Sequence, residues 1–520
     1  LRIGIGIDVG GTNTDAVLMD GNTVAGWVKA ATTADVSSGI HAALAELVAV
    51  TSHDPAAVTR VMIGTTHFIN SLVQARGLSP TACIRLGLPA TSALPPMTAW
   101  PADVRQALNG QAYLVHGGNE FDGRRIADLQ PSEIAAACED LAEKGIRSLA
   151  ISSVFSPISA GFELEAEAIA REVLGPGFHI SLSHRIGRIG LLERENAAII
   201  NAALREMAVG VVSGLVDAVT DAGIDGAIYL SQNDGTLIDL DTAREYPVAT
   251  FASGPTNSMR GAAILSGLSD CAVIDVGGTT SDIGVLGGGF PRVATTDVEV
   301  AGIRPNFRMP DVLSLGIGGG SHIADGGASV GPLSVGYLLP HRALVFGGDT
   351  LTATDVAVAA GRADVGDGSL VAHLDRSMVA AALETIARRV AETADRMPTS
   401  SEPIPVLGVG GGSILLPDEL PGFGSMIRPE HFSVANAVGA SIAQVAGEID
   451  RVFVIQGSRG DVIEAAKQEA LDKAVAAGAE PGSVQLIEFD EVPIPYLPGD
   501  NVRIRAKAVG DLAAVPGEIV

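Results

Sequence analysis

The sequence predicts an α/β protein made of two related halves, and three observations carry that expectation. The first is a repeated turn: Asp8–Val9–Gly10–Gly11–Thr12–Asn13–Thr14–Asp15 returns as Asp275–Val276–Gly277–Gly278–Thr279–Thr280–Ser281–Asp282. Each copy follows an apolar, β-branched run and precedes another, the pattern of a strand, a glycine turn and a returning strand. The second is a strand–helix alternation along most of the chain, which favours parallel sheet. The third is bulk composition. A chain of 520 residues, 47% hydrophobic and with 63 glycines, suits a compact, glycine-turn-rich protein with several cores.

Taken in order, residues 1–190 form the first half, interrupted at about 86–180 by an inserted subdomain. Its helix runs over 37–50, and the strand 58–63 leads into Gly64–Thr65–Thr66–His67–Phe68–Ile69–Asn70. Hydroxyl and amide groups at a strand end are where α/β folds place ligands, so Thr65, Thr66, His67 and Asn70 are a candidate substrate wall; the alternative is that Thr65 or Thr66 caps the next helix. The pattern of residues 191–222 reads as one long helix connecting the halves, and a strand at 227–230 opens the second half, 223–450. A glycine-rich insertion at about 287–400 contains Gly316 to Ser321, and an apolar helix follows at 433–445. Residues 451–520 form a small C-terminal domain in which Val492–Pro493–Ile494–Pro495–Tyr496 suits an edge strand or a connecting loop.

Charge and cysteine usage exclude some functions. The 34 basic against 60 acidic residues give a net charge of −26, which repels nucleic acid. Cys83, Cys138 and Cys271 are widely spaced and form no C-x-x-C pair, which fits a reducing cytoplasm rather than a zinc site or a disulfide framework. No unbroken apolar run reaches the ~18 residues of a membrane span, and the sequence opens on a strand pattern rather than a basic leader; a soluble cytoplasmic chain is expected.

The repeated turns carry the chemistry. Paired glycines let backbone N–H groups approach phosphate oxygens without an intervening Cβ, so Gly10, Gly11, Thr12 and Asn13 and their counterparts Gly277, Gly278, Thr279 and Thr280 are candidate nucleotide contacts. The hydroxyls of Thr12 and Thr279 add donors. Asp8 and Asp275, at strand ends facing one another across a cleft, are placed to hold a hydrated Mg²⁺ through water, which makes these four residues the catalytic candidates. Asp15 and Asp282 are either secondary ligands or turn-stabilising groups. A third cluster, Gly410–Gly411–Gly412–Ser413, ends a strand and offers backbone to an adenine or ribose. His67 and His184 are the histidines kept for substrate contact or acid–base work; His116, His322 and His341 are too scattered to suggest a metal.

With these motifs in this order, the sequence resembles the actin-like ATPase (ribonuclease H-like) superfamily, in which two duplicated halves clamp ATP. Within it, the hydantoinase A/5-oxoprolinase/acetone carboxylase family is the nearer likeness. It rests on residues 8–15, Gly64–Thr65–Thr66 with Asn70, residues 181–184, Glu193–Arg194 with Asn201–Ala202, Ser253–Gly254–Pro255, residues 275–282, residues 318–321, and Thr354–Asp355. The resemblance implies two duplicated halves around a nucleotide cleft, with inserted subdomains and a small C-terminal α/β segment. It implies use of ATP and Mg²⁺ to phosphorylate the carbonyl oxygen of a cyclic amide, with a hydantoinase B-like or other companion subunit completing the ring opening, in an oligomer. Asp355 joins the substrate candidates on this ground. A carboxylase subunit, a small-molecule kinase and a non-catalytic nucleotide-switched binding protein share the clamp and remain alternatives.

Overall fold

A computed structural model describes residues 3–31, 36–294, 298–397, 404–455, 457–494 and 500–514. Its two halves repeat one plan. In the first, β1 (Ile3–Val9), β2 (Asn13–Asp20) and β3 (Thr23–Ala31) form an antiparallel meander. Then α1 (Val36–Thr51) leads to β4 (Arg60–Thr65), which lies parallel to β1. A short helix, α2 (His67–Val73), leaves the end of β4.

The chain next builds the inserted subdomain as its own parallel sheet: β5 (Thr81–Leu88), β6 (Gln111–His116), α3 (Pro131–Glu143), β7 (Ser148–Ser153), α4 (Gly161–Leu174) and β8 (His179–Leu182), ordered β6-β5-β7-β8. Its core joins Ile84, Leu86, Leu149 and Ile151 to Ile134, Leu141 and Ala166 of the covering helices. The irregular stretch before residue 128 is therefore part of a folded layer, with Trp100 buried and its Nε1 donating to Asn196 Oδ1 at 2.7 Å.

The long helix α5 (Leu191–Asp221) is a correction to the sequence reading. It does not join the two halves. It returns the chain to β9 (Ala227–Ser231), which pairs parallel with β4 and, with β10 (Leu237–Asp239), completes the first sheet in the order β10-β9-β4-β1-β2-β3. The strand expected to open the second half thus closes the first. A helical period shows where a helix is, not which strands it connects. By length and composition α5 is also apolar enough to cross a membrane, unlike any unbroken run in the sequence, but it packs against α1 and β7 and buries Arg194, Glu195 and Asn201 along with its apolar face.

After α6 (Ser253–Ser266), the second half repeats the plan with β11 (Cys271–Val276), β12 (Ser281–Gly287) and β13 (Val312–Leu315). Helices α7 (Ala353–Ala359) and α8 (Arg376–Ala394) precede β14 (Val406–Val409) and β15 (Gly424–Ile427), giving the central order β12-β11-β14-β15 with β13 also on β12. Helix α8 buries Val379, Leu383, Ile386 and Val390 against this sheet, so the glycine-rich insertion ends before residue 376 rather than near 400.

The apolar segment expected as a helix over 433–445 is shorter: α9 (Ala435–Ala440) stops before β16 (Gln444–Val454). That strand, with α10 (Arg459–Ala476), β17 (Gln485–Pro493) and β18 (Asn501–Asp511), makes the C-terminal sheet β16-β18-β17, which therefore starts at 444. Pro493 ends the edge strand β17, as a residue without an N–H should; Pro495 and Tyr496 lie outside the described residues.

Helices α6 and α9 cross between the halves, and the crossing explains two glycines. A Cβ on Gly261 would lie 1.8 Å from the Ala435 carbonyl oxygen, and one on Gly439 would lie 1.8 Å from that of Asn257. Only glycine at both positions lets the backbones approach this closely. The contact sets how near the two sheets, and the turns at their strand ends, come to each other.

Candidate active site

The two turns have the same backbone construction. Gly10 N–H donates to the Asn13 carbonyl at 3.0 Å, and Gly277 N–H donates to that of Thr280 at 2.9 Å. Strand registers match too, pairing Asp8 with Asp15 in one hairpin and Asp275 with Asp282 in the other. The turns meet at their tips, since a Cβ on Gly278 would lie 2.6 Å from Thr12 Oγ1. The structure thus brings Gly10, Gly11, Thr12, Asn13, Gly277, Gly278, Thr279 and Thr280 to one place.

Four carboxylates stand behind the turns. Asp8 is 4% exposed and accepts from Asn257 Nδ2 at 3.2 Å and Asn436 Nδ2 at 3.1 Å, donors from the two crossing helices. Burial pushes its carboxyl up to about 6, opposed by the Asn257 hydrogen bond and assisted by the charges of Asp15 and Asp275. Asp15 is buried, paired with Lys29 Nζ at 2.6 Å and bonded to Asn436 at 2.8 Å. Asp275 and Asp282 are half-buried in the other half. Burial lifts Asp275 above the ordinary range against a hydrogen bond from Ser258 and the charge of Lys29. Asp282 is pushed up to about 6 by burial, against a hydrogen bond from Ser314 at 2.5 Å and with help from Asp275.

This donor set fits a hydrated divalent cation. Asp275 lies close enough to Asp8 for its charge to act there, Lys29 pairs with Asp15 and its charge reaches Asp275, and Mg²⁺ needs just one or two carboxylates while keeping its waters. Among the described residues no group of three or more His, Cys, Asp or Glu is arranged to hold a metal ion directly. Two close approaches keep the carboxylates in place: a Cβ on Gly64 would lie 2.4 Å from Asp8 Oδ1, and one on Gly410 would lie 2.2 Å from Asp275 Oδ1.

The substrate-wall residues lie beside the first turn. Thr65 pairs in register with Val9, and its N–H donates to Ser253 Oγ at 3.3 Å. Thr66 Oγ1 donates to the Val9 carbonyl at 3.4 Å and accepts from Asn70 Nδ2 at 3.2 Å. Thr66 occupies the N-cap position of α2 without a side-chain capping bond, while Thr65 Oγ1 accepts from His67 N–H at 3.2 Å. His67 stands edge-on to Phe68.

The third glycine cluster lies against the base of the second turn. A Cβ on Gly412 would lie 2.7 Å from the Gly277 carbonyl, Gly411 has open space around it, and the buried Ser413 Oγ has no hydrogen-bond partner among the described residues. A second loop, Gly318 to Ser321, covers the same turn: Gly319 and Gly320 N–H donate to the Gly277 and Gly278 carbonyls at 3.0 and 2.7 Å.

Two candidates belong elsewhere. Asp355 is fully buried and accepts from Thr352 N–H and Oγ1 at 2.7 and 2.8 Å and from Val345 N–H at 2.7 Å, so it caps α7 and braces the loop before it rather than facing a substrate. His184 lies with the inserted sheet and lines a separate cavity. Conversely, sequence reasoning missed Lys29, Asn257 and Asn436. Lys29 sits opposite Asp15 in an antiparallel register that the turn itself fixes, so counting back across β2 and β3 would have found it. The two asparagines reach Asp8 only through the crossing of α6 and α9, which leaves no local signal.

The chain is similar to known proteins in sequence and in fold. The hydantoinase/oxoprolinase N-terminal region profile matches residues 4–174, and the hydantoinase/oxoprolinase profile matches residues 194–397. Caprolactamase subunit alpha of Pseudomonas jessenii is 27% identical over 415 residues, 75% of this chain and 58% of that protein. Acetophenone carboxylase gamma subunit of Aromatoleum aromaticum is 26% identical over 256 residues, 46% of this chain and 34% of that protein. The chain spans about half the length of the curated relatives it matches. The crystal structure of the ATP-dependent caprolactamase from Pseudomonas jessenii aligns with a TM-score of 0.77 at 18% identity, covering 100% of this chain and 89% of that one; the two share a fold.

Proposed function

The chain belongs to the hydantoinase/oxoprolinase family, and from that premise we propose that it is the ATP- and Mg²⁺-dependent subunit of a cyclic-amide hydrolase. The observation that carries this reading is the tip-to-tip pair of identically built glycine turns with Asp8 and Asp275 behind them. ATP supplies the phosphoryl group that makes a resonance-stabilised amide carbon attackable, and a bound Mg²⁺ neutralises phosphate charge.

The chain's own residues do the positioning. The turn amides and the Thr12 and Thr279 hydroxyls would orient phosphate oxygens, Asp8 and Asp275 would hold a hydrated cation, and Asn257 and Asn436 fix the Asp8 carboxylate. Gly410 to Ser413 offers backbone to the nucleoside. Thr65, Thr66, His67 and Asn70 border the first turn where an amide carbonyl would approach. The subunit names of the relatives support a companion subunit, and in this reading that companion finishes the ring opening.

The test is ADP release with caprolactam, hydantoin and 5-oxoproline, with and without candidate companions. Lactam-stimulated ADP release is expected, and absence of ATP binding would overturn the reading. The carboxylase relative favours a second outcome, bicarbonate incorporation coupled to ADP release, which labelled bicarbonate would reveal.

A further inference from the structure

A cavity of about 680 Å³ opens between the loops of the inserted sheet and the C-terminal sheet, and none of the residues lining it belongs to either glycine turn. An adjoining hollow shares Arg185, Arg308 and Glu448 with it and is lined by Gln232, Asn233 and Asp234 of the β9–β10 turn. That turn follows the carboxyl end of β9, the parallel neighbour of β4, so the hollow lies on the edge of the sheet where α/β folds bind ligands.

His184 lines this cavity in a fixed orientation. Glu163, fully buried, accepts from His184 Nδ1 at 2.6 Å, His184 N–H at 3.1 Å, Ser183 Oγ at 2.5 Å and Ser153 N–H at 3.0 Å. Burial works against the Glu163 charge, but its hydrogen bonds, that from His184 first, outweigh it, and the carboxyl sits below its ordinary range. An ionised carboxylate only accepts, so Nδ1 of a neutral His184 carries the proton and Nε2 is the basic nitrogen. A surface histidine has no need of so buried a partner.

The cavity wall is cationic although the chain is acidic. Most of its charges are already matched: Arg308 pairs with Glu448 and Glu488, Arg188 with Asp450 at 3.1 Å, and Arg451 and Lys473 with Glu469. Arg185 is the exception among the described residues, since it meets a carboxylate, Glu245, at 3.9 Å and its side chain is 45% exposed. A guanidinium next to an oriented imidazole is suited to an oxyanion that also carries a hydrogen-bond donor.

We propose that this cavity binds a small organic oxyanion, a carboxylate or a phosphate ester, held by Arg185 with a hydroxyl or N–H of the ligand donating to His184 Nε2. Glu163 is the positioning residue that fixes the imidazole. The site stands on its own geometry and does not depend on the nucleotide reading.

The test uses the full chain with ¹³C,¹⁵N-labelled histidine, titrated with glycerate, glycerol 3-phosphate and glycerol, three probes that differ only in the anion. The imidazole resonance absent from His184→Gln is expected to shift saturably with glycerate or glycerol 3-phosphate and not with glycerol; the tighter of the two anions identifies the ligand class. Arg185→Met should weaken that binding by about tenfold or more, and its half-exposed position leaves the core intact, which thermal unfolding checks. Glu163→Gln should move the His184 ¹⁵N shifts away from the Nδ1-protonated tautomer. No saturable shift with either anion, an equal shift with glycerol, or unchanged affinity in Arg185→Met would each overturn the proposal.

Discussion

Lys29 faces Asp15 across the β2–β3 ladder, and Ser314 faces Asp282 across the corresponding β12–β13 ladder. The two hairpins otherwise match in turn closure, strand register and the aspartate that begins each turn. The first half thus carries a lysine charge where the second carries a hydroxyl. The consequence is visible in the carboxylates. Asp15 has a cation at 2.6 Å, whereas Asp282 has one neutral donor and is pushed up to about 6. The duplicated scaffold thus sets a lysine beside Asp15 in one half and a neutral hydroxyl beside Asp282 in the other.

The strongest way to break this comparison is to neutralise each turn's leading aspartate. Asp8→Asn and Asp275→Asn should each lower ATP turnover by about 10²–10³-fold, the loss seen when a preorganised charge contact is removed. Steady-state ADP release checks the rate and circular dichroism checks the fold; turnover within about threefold of the parent would remove that residue from the site. Lys29→Met comes next. Among the described residues it leaves Asp15 with Asn436 and removes the Lys29 charge that opposes Asp275, so turnover should fall about ten- to a hundredfold, and breaking a pair this lightly exposed should cost about 1–2 kcal/mol in denaturant unfolding.

The pH dependence sharpens the same contrast. Asp8 rises from about 4 in an unfolded chain to about 6 in the fold. Between those values the folded state binds more protons, so this group's contribution to stability falls as pH rises through that window, by on the order of 1–3 kcal/mol. Asp8→Asn should therefore be more stable than the parent at pH 7 and lose that advantage towards pH 4, while the parent's ATP turnover falls as pH drops through about 6. Opposite pH trends of stability and turnover in the parent, measured by thermal unfolding and ADP release, are the signature of a charge retained for function.

How far the sequence carries the site depends on the kind of interaction. The paired turns were legible because hydrogen-bonded hairpins are local: Gly10 closes on Asn13 and Gly277 on Thr280 within four residues. Thr65 and Thr66 were legible as a strand end. By contrast, Asn257 and Asn436 reach Asp8 from 249 and 428 residues away, through a helix crossing set by Gly261 and Gly439. The role of α5 was misread for a related reason, because its period gives a helix while its destination depends on β9 pairing with β4. Asp355 shows the converse: a motif likeness suggested a ligand, but Thr352, three residues earlier, already spelled a capping box.

The smallest effect expected tests the second half alone. Ser314→Ala removes the donor that holds Asp282 at 2.5 Å and leaves the backbone ladder intact. One hydrogen bond to a charged group at a partly exposed position contributes about 1 kcal/mol, so unfolding should shift by no more than that. The Asp282 carboxyl, already at about 6 with its donor in place, should move further up. If the second half depends on an external cation, turnover at saturating Mg²⁺ should stay within about threefold of the parent while the Mg²⁺ concentration for half-maximal turnover rises, since the cation must now hold Asp282 ionised unaided. An unchanged Mg²⁺ requirement would mean that Asp282 takes no part in the cation site, leaving Asp275 alone to distinguish the second half from the first.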